Sequence, residues 1–206
     1  MKKILVVGGT GFIGYHVVKR ALKKKWQVTS ISLKRPNKKR YLKNVKYLFA
    51  NLGNYHSLKR KIKGDFDYVV NVGGYGKHIP FHKGGSVIFK NHYFGVKNLV
   101  KILSKKKLKR FIQIGSSAEY GEAQAPQSET SQGILFSPYA LAKLACTQFL
   151  KMLYATEKYP VSILRFFLVY GPKQEENFVM SKNHCESFFL STVAPDLQPL
   201  PSITCS

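Results

Sequence analysis

The apolar positions of this chain change their period along its length, and the changes mark out alternating strands and helices. Positions 4–7 form a short β-branched apolar run, the pattern of a parallel strand buried on both faces. Glycines follow, and from about 12 to 24 the apolar residues recur at helical spacing. Further runs predict strands at 27–33, 45–49, 66–72, 110–114 and 161–167. Helices are predicted at 55–63, 86–104 and 138–158, the second with Val87, Phe94, Leu99, Ile102 and Leu103 along its apolar side. Strands alternating with helices form βαβ units and a parallel sheet. The expected fold class is therefore α/β, a doubly wound Rossmann-type parallel sheet.

Composition narrows the picture. With 206 residues, 44% of them apolar, the chain can build one domain around a real core. Its net charge of +24 suits an anionic partner. The lysines, however, are spread along the chain and are not interleaved with stacking aromatics, so no specific nucleic-acid partner is expected. Three cysteines, Cys146, Cys185 and Cys205, with no CxxC spacing, give neither a disulfide framework nor a metal site. They suggest a reducing, cytoplasmic setting. Met1-Lys2-Lys3 before an apolar run mimics a signal peptide, but the run is broken by Gly8, Gly9, Gly11 and Gly14. No stretch is long and apolar enough for a membrane span. No Lys or Arg occurs after Lys182, and 183–206 lacks a helical or strand period. The expected division is a dinucleotide-binding domain at 1–177 and an atypical tail at 178–206, the product of a truncation or frameshift that leaves the substrate-binding part shortened or missing.

The segment Gly8-Gly9-Thr10-Gly11-Phe12-Ile13-Gly14 carries the first chemistry. Glycines at 8, 11 and 14 allow a tight turn off the strand, close backbone approach to a pyrophosphate, and close packing of helix on sheet. The free N–H groups at the helix start then hold the phosphates. An acidic residue at the end of the second strand would bind the ribose hydroxyls of NAD. Here Ser30-Ile31-Ser32-Leu33 is followed by Lys34 and Arg35, two cations near where a 2′-phosphate would lie. NADP is the expected cofactor, with NAD as the alternative.

Three further segments complete the set: Gly115-Ser116-Ser117-Ala118-Glu119-Tyr120-Gly121, Tyr139-Ala140-Leu141-Ala142-Lys143, and Leu164-Arg165-Phe166-Phe167-Leu168-Val169-Tyr170-Gly171-Pro172. With the N-terminal turn, in this order and spacing, they resemble the extended short-chain dehydrogenase/reductase family. More narrowly, they resemble its NAD(P)-dependent sugar-nucleotide epimerases, dehydratases and reductases, over about residues 2–177. Tyr139 and Lys143 are one helical turn apart and share a face. An ammonium near a phenol favours the phenolate and lowers its pKa, which prepares Tyr139 to exchange a proton with a sugar hydroxyl.

The resemblance implies that Ser116, five residues before Gly121, orients the reacting oxygen, and that Lys143 also reaches the nicotinamide ribose. It places Asn51-Leu52-Gly53-Asn54 at an adenine loop and Asn71-Val72-Gly73-Gly74 at the turn covering the cofactor. The expected catalytic set is Ser116, Tyr139 and Lys143. The expected dinucleotide contacts are Gly8, Thr10, Gly11, Phe12, Ile13, Gly14, Ser32, Lys34, Arg35, Asn51, Leu52, Val72, Gly73 and Gly74, again with Tyr139 and Lys143. Three departures stand out. His92 occupies a place where the family often has Asn, and Leu168 another. Ser117 and Ala118 stand where dehydratases carry acids. Glu119 comes one position late, and a one-residue shift turns a side chain away. The expected activity is thus that of an epimerase or 4-keto reductase on a nucleotide sugar. The second reading is a catalytically impaired dinucleotide-binding protein with a sensing or scaffold role. A homodimer through helices 86–104 and 138–158 is the expected assembly.

Overall fold

β1 (Lys3–Val7) runs through the middle of a six-stranded sheet, and its residues Ile4, Leu5, Val6 and Val7 are at most 3% exposed. The computed structural model describes residues 1–74 and 78–175. Successive side chains of a strand face opposite sides. Leu5 and Val7 accordingly join one apolar cluster, and Ile4 and Val6 another. α1 (Phe12–Lys23) brings Val18 and Ala21 to the Ile4–Val6 side. α2 (Tyr55–Lys61), α3 (Gly85–Ile102) and α4 (Pro138–Glu157) cover the other with Leu58, Val96, Leu99, Cys146, Leu150 and Leu153.

The remaining strands are β2 (Gln27–Ser32), β3 (Val45–Phe49), β4 (Tyr68–Asn71), β5 (Arg110–Ser116) and β6 (Val161–Phe166). All pairs are parallel, in the order β3-β2-β1-β4-β5-β6. This is the doubly wound Rossmann order. Its direction reverses between β1 and β4, which opens a crevice at the carboxyl ends of the strands. Residues Met1–Val169 form one compact unit, and a second begins at Tyr170. The tail 178–206, with Cys185 and Cys205, lies outside the described residues. No helix among the described residues is long and apolar enough to cross a membrane.

Several expected boundaries move. β2 stops at Ser32 rather than 33, since Leu33 turns outward and is 52% exposed. β4 occupies Tyr68–Asn71 within the expected 66–72, and α2 ends at Lys61. β5 runs two residues further than expected, to Ser116, which pairs with Phe166 of β6. α4 ends at Glu157, where Lys158 adopts a left-handed conformation. The apolar stripe of α3 is also corrected. The buried side is Ile88, His92, Gly95, Val96 and Leu99, whereas Val87 and Phe94 are exposed. The inward stripe contains a histidine and a glycine, so hydrophobicity alone pointed to its neighbour.

Candidate active site

The turn after β1 shows why glycine is needed. Gly8 has φ +81°, and its N–H donates to the carbonyl of Ile31 at 2.7 Å. A Cβ on Gly8 would lie 2.8 Å from the Gly73 nitrogen, and one on Gly14 would strike the Gly8 carbonyl. Gly11 caps α1 without a side chain, and the first turn of α1 carries no acid. The first turn of this helix thus brings no carboxylate to its positive end, which suits a pyrophosphate. Gly9, not singled out from the spacing, has its missing Cβ replaced by the Ser30 hydroxyl. Thr10 closes the turn onto β2: its N–H donates to Ser32 Oγ, and its hydroxyl to the Lys34 carbonyl, both at 3.3 Å.

Along the crevice, Lys34 and Arg35 are exposed, and the Arg35 guanidinium lies 5.8 Å from the Phe49 ring centroid. Asn51 Oδ1 accepts the Gly53 N–H at 2.9 Å, and the Leu52 carbonyl accepts from Asn98 Nδ2 at 2.9 Å. Asn54 is turned to another use, capping α2 by accepting the Ser57 N–H. At the end of β4, buried Asn71 donates to Gln113 Oε1 at 2.8 Å and accepts the Gly73 N–H at 3.1 Å. Val72, Gly73 and Gly74 thus follow a fixed strand end beside Gly8. Gly74 has φ +143°, and the space of its missing Cβ is taken by the His92 ring.

Ser116, Tyr139 and Lys143 come together at the carboxyl end of β5. Ser137 caps α4 by accepting the Ala140 N–H at 3.1 Å, and Pro138 opens the helix, so Tyr139 sits in its first turn. Lys143, one turn on, is 6% exposed; its Nζ donates to the Ile114 carbonyl at 2.8 Å and lies 5.8 Å from the Tyr139 ring centroid. Two imidazoles flank Tyr139 edge-on, His78 at 5.1 Å and His92 at 5.6 Å between ring centroids. His78 Nδ1 also meets Ser137 Oγ at 2.9 Å.

Burial pushes the Tyr139 phenol above the ordinary tyrosine range; interaction with the Ser116 hydroxyl pulls it down, and the Glu119 charge pushes it up. Lys143, beside the ring, donates to a backbone carbonyl and is itself buried. Burial lowers the Lys143 pKa, with Cys146 and Glu119 acting the other way.

Sequence reading missed the role of Glu119. It does turn away from the crevice, but into the fold, where it is 1% exposed. It caps the turn Ser117–Tyr120 in a capping box with Ser116 and pairs with Arg165 at 3.0 Å. The Ser-x-x-Glu spacing after a strand was the available signal.

A parallel sheet of this order, a glycine turn on its first strand and a Ser-Tyr-Lys cluster at the carboxyl end of β5 define a dinucleotide-binding protein of the extended short-chain dehydrogenase/reductase type. The chain belongs to the NAD dependent epimerase/dehydratase family, whose pattern matches residues 4–184. It is 29% identical over 197 residues to an uncharacterized UDP-glucose epimerase of Bacillus subtilis, covering 87% of this chain and 60% of that one. It is 28% identical over 208 residues to the dTDP-D-glucose 4,6-dehydratase of Dictyostelium discoideum, covering 88% and 47%. Among solved structures it is similar to the UDP-glucuronic acid 4-epimerase of Bacillus cereus in complex with NAD, with TM-score 0.71 and 26% identity, covering 85% and 60%. The chain thus spans about half to three fifths of the length of these relatives.

Proposed function

We propose that the chain binds a nicotinamide dinucleotide across the carboxyl ends of β1, β2 and β4 and acts on a nucleotide sugar as an epimerase or 4-keto reductase. The carrying observation is the meeting of Ser116, Tyr139 and Lys143 beside the Gly73-Gly74 turn. A bound dinucleotide supplies the hydride acceptor or donor. Tyr139 exchanges a proton with the sugar hydroxyl being oxidised or formed, and Ser116 holds the same oxygen. Lys143, anchored by Ile114, keeps its remaining N–H groups for the nicotinamide ribose and for the phenol. NADP is the preferred form and NAD the alternative: β2 ends in Ser32 with no carboxylate, and Lys34 and Arg35 follow in exposed positions. Ser117 and Ala118 supply no acid to expel water, which favours these reactions over a dehydratase.

The test is to mix the protein with NADPH or NADH and a panel of 4-keto nucleotide sugars and follow absorbance near 340 nm, with a parallel assay for epimerised product. Dinucleotide binding without turnover of any sugar would favour the second reading, a binding protein with a sensing or scaffold role. That reading draws support from His92 and Leu168 standing at places where the family often has Asn, and from the exposed apolar side chains of Ile134, Phe136 and Phe167. The exposed Val87, Phe94, Leu141 and Met152 of α3 and α4 support self-association through these helices, to be tested by sedimentation.

A further inference from the structure

Ser116 is held from behind by a carboxylate. Glu119 Oε1 accepts the Ser116 N–H at 2.9 Å, while Oε2 accepts from Thr147 Oγ1 at 2.7 Å and from Arg165 Nε at 3.0 Å. One buried group therefore joins the end of β5, the middle of α4 and β6. Thr147 lies one helical turn beyond Lys143, so it belongs to the helix that also carries Tyr139. Arg165 is fixed in turn: its Nη1 donates to the Glu129 carbonyl at 2.9 Å, and its guanidinium lies 4.7 Å from the Tyr120 ring centroid. The backbone makes room for the carboxylate, since a Cβ on Gly115 would collide with Glu119 Oε1. Ser116 Oγ is tied as well, accepting the Ala118 N–H at 3.2 Å.

A charged pair in this place is costly, because Glu119 is stripped of water and Arg165 largely so, and an apolar pair of similar size would spare that desolvation. Its distinctive product is directional: it gives the Ser116 N–H a fixed acceptor. We propose that Glu119, clamped by Arg165 and Thr147, is the positioning residue that sets the Ser116 hydroxyl against Tyr139. This rests on the role proposed above for Ser116. With its N–H and Oγ both engaged, Ser116 presents one orientation to the phenol, and the reacting oxygen finds two pre-set partners instead of one. Misplacement of such a group by a fraction of an ångström slows the chemical step and leaves binding alone.

Two neutral pairs isolate this effect in the full chain. Glu119→Gln/Arg165→Met retains an amide oxygen for the Ser116 N–H, and Glu119→Val/Arg165→Met does not; neither buries a lone charge. With the nucleotide sugar that the wild-type chain turns over, the Gln pair is expected to keep kcat within about threefold of wild type, and the Val pair to lose on the order of 30-fold, with KM and dinucleotide Kd unchanged in both. Adding Ser116→Ala to the Val pair is expected to cost little more, because both changes remove the same contribution. Equal kcat in the two pairs, or fully additive losses, overturns the clamp. Should the Val pair not fold, Thr147→Val provides the second measurement: a loss of about threefold in kcat that vanishes in a Ser116→Ala background. The same loss in both backgrounds overturns the proposal. Wild-type protein that binds dinucleotide but turns over no sugar defeats the proposed function itself, and the clamp with it.

Discussion

Lys143 donates to the main-chain carbonyl of Ile114 at 2.8 Å, so the ammonium of α4 is tied to the strand that delivers Ser116. The bond explains how a lysine that is 6% exposed keeps its place. Replacing it has two opposed consequences for stability. Lys143→Met removes one of two side-chain donors to the Ile114 carbonyl, which Gln113 Nε2 still serves at 3.0 Å, at up to about 1 kcal/mol, and relieves the burial of a charge, which is worth a similar amount. The folding free energy is therefore expected to change by no more than about 1 kcal/mol in urea titrations. If Lys143 serves the phenol and the ribose as proposed, turnover followed at 340 nm is expected to fall by about 100-fold or more.

Gly74 and His92 share one space. A side chain at 74 would meet the imidazole and would also sit at φ +143°, a conformation that L residues rarely adopt. Gly74→Ala should cost about 1–3 kcal/mol of stability. His92→Ala removes the steric part but not the backbone part. The penalty of Gly74→Ala measured in that background should shrink without vanishing. An unchanged penalty would mean that the ring is not what excludes the methyl group.

Much of the fold was legible because β1 and β4 are nearly unbroken apolar runs, the pattern of strands buried on both faces, whereas β2 shows only Val28 and Ile31 as apolar among buried Thr29, Ser30 and Ser32. The phosphate turn was legible because three glycines at fixed spacing follow such a run. The inward face of α3 was not, since His92 and Gly95 lie on it while Val87 and Phe94 do not. Glu119 was legible only as a displaced acid. Its partners Thr147 and Arg165 are 28 and 46 residues away, and no local pattern announces a contact made by tertiary packing. The setting of Lys143 was only partly legible for a related reason. Helical spacing placed Lys143 on the same face as Tyr139, but the carbonyl that accepts its hydrogen bond comes from β5.

The choice between dinucleotides is expected to reside in Arg35. It is exposed and stands just past the last residue of β2, with its guanidinium near Phe49. A guanidinium grips a phosphate with two parallel hydrogen bonds, and a ribose hydroxyl gives it far less. Arg35→Ala should weaken NADPH by about tenfold, at a cost near 1.4 kcal/mol, and leave NADH almost unchanged. Calorimetric titration of both reduced dinucleotides decides it. Equal weakening of the two would remove Arg35 from the discrimination.

The Tyr139 phenol has neighbours that act in opposite directions. Burial, the largest effect, raises its pKa; the Ser116 hydroxyl lowers it and the Glu119 charge raises it. In the absence of dinucleotide, Ser116→Ala should therefore move the titration of Tyr139 further up, and Glu119→Gln should move it down. The phenolate absorbance of each variant, less that of the same variant carrying Tyr139→Phe, isolates this one tyrosine. Shifts of the same sign in the two variants would contradict the arrangement.

Cys146 sits 1% exposed among Leu150, Leu153 and Phe111, and burial pushes its thiol up to about 12 from an ordinary value near 9.0. The Lys143 charge acts downward and Glu119 upward, but both are smaller than burial. The folded chain thus holds this proton through a pH range in which the unfolded chain has released it. Because the folded state binds more protons there, stability must fall as pH rises from about 9 towards 12, and the thiol contributes no pH dependence below that range. Denaturant titrations at pH 7.5 and pH 10 should show wild type losing about 1–2 kcal/mol more than Cys146→Ala over the interval. The variant itself is less stable at pH 7.5, since it leaves a small cavity in the core. The same burial keeps the thiolate from forming at neutral pH, so peptide mapping after iodoacetamide should find Cys146 unmodified until the chain unfolds. A stability difference between wild type and variant that stays constant with pH would show that the thiol meets water in the folded protein.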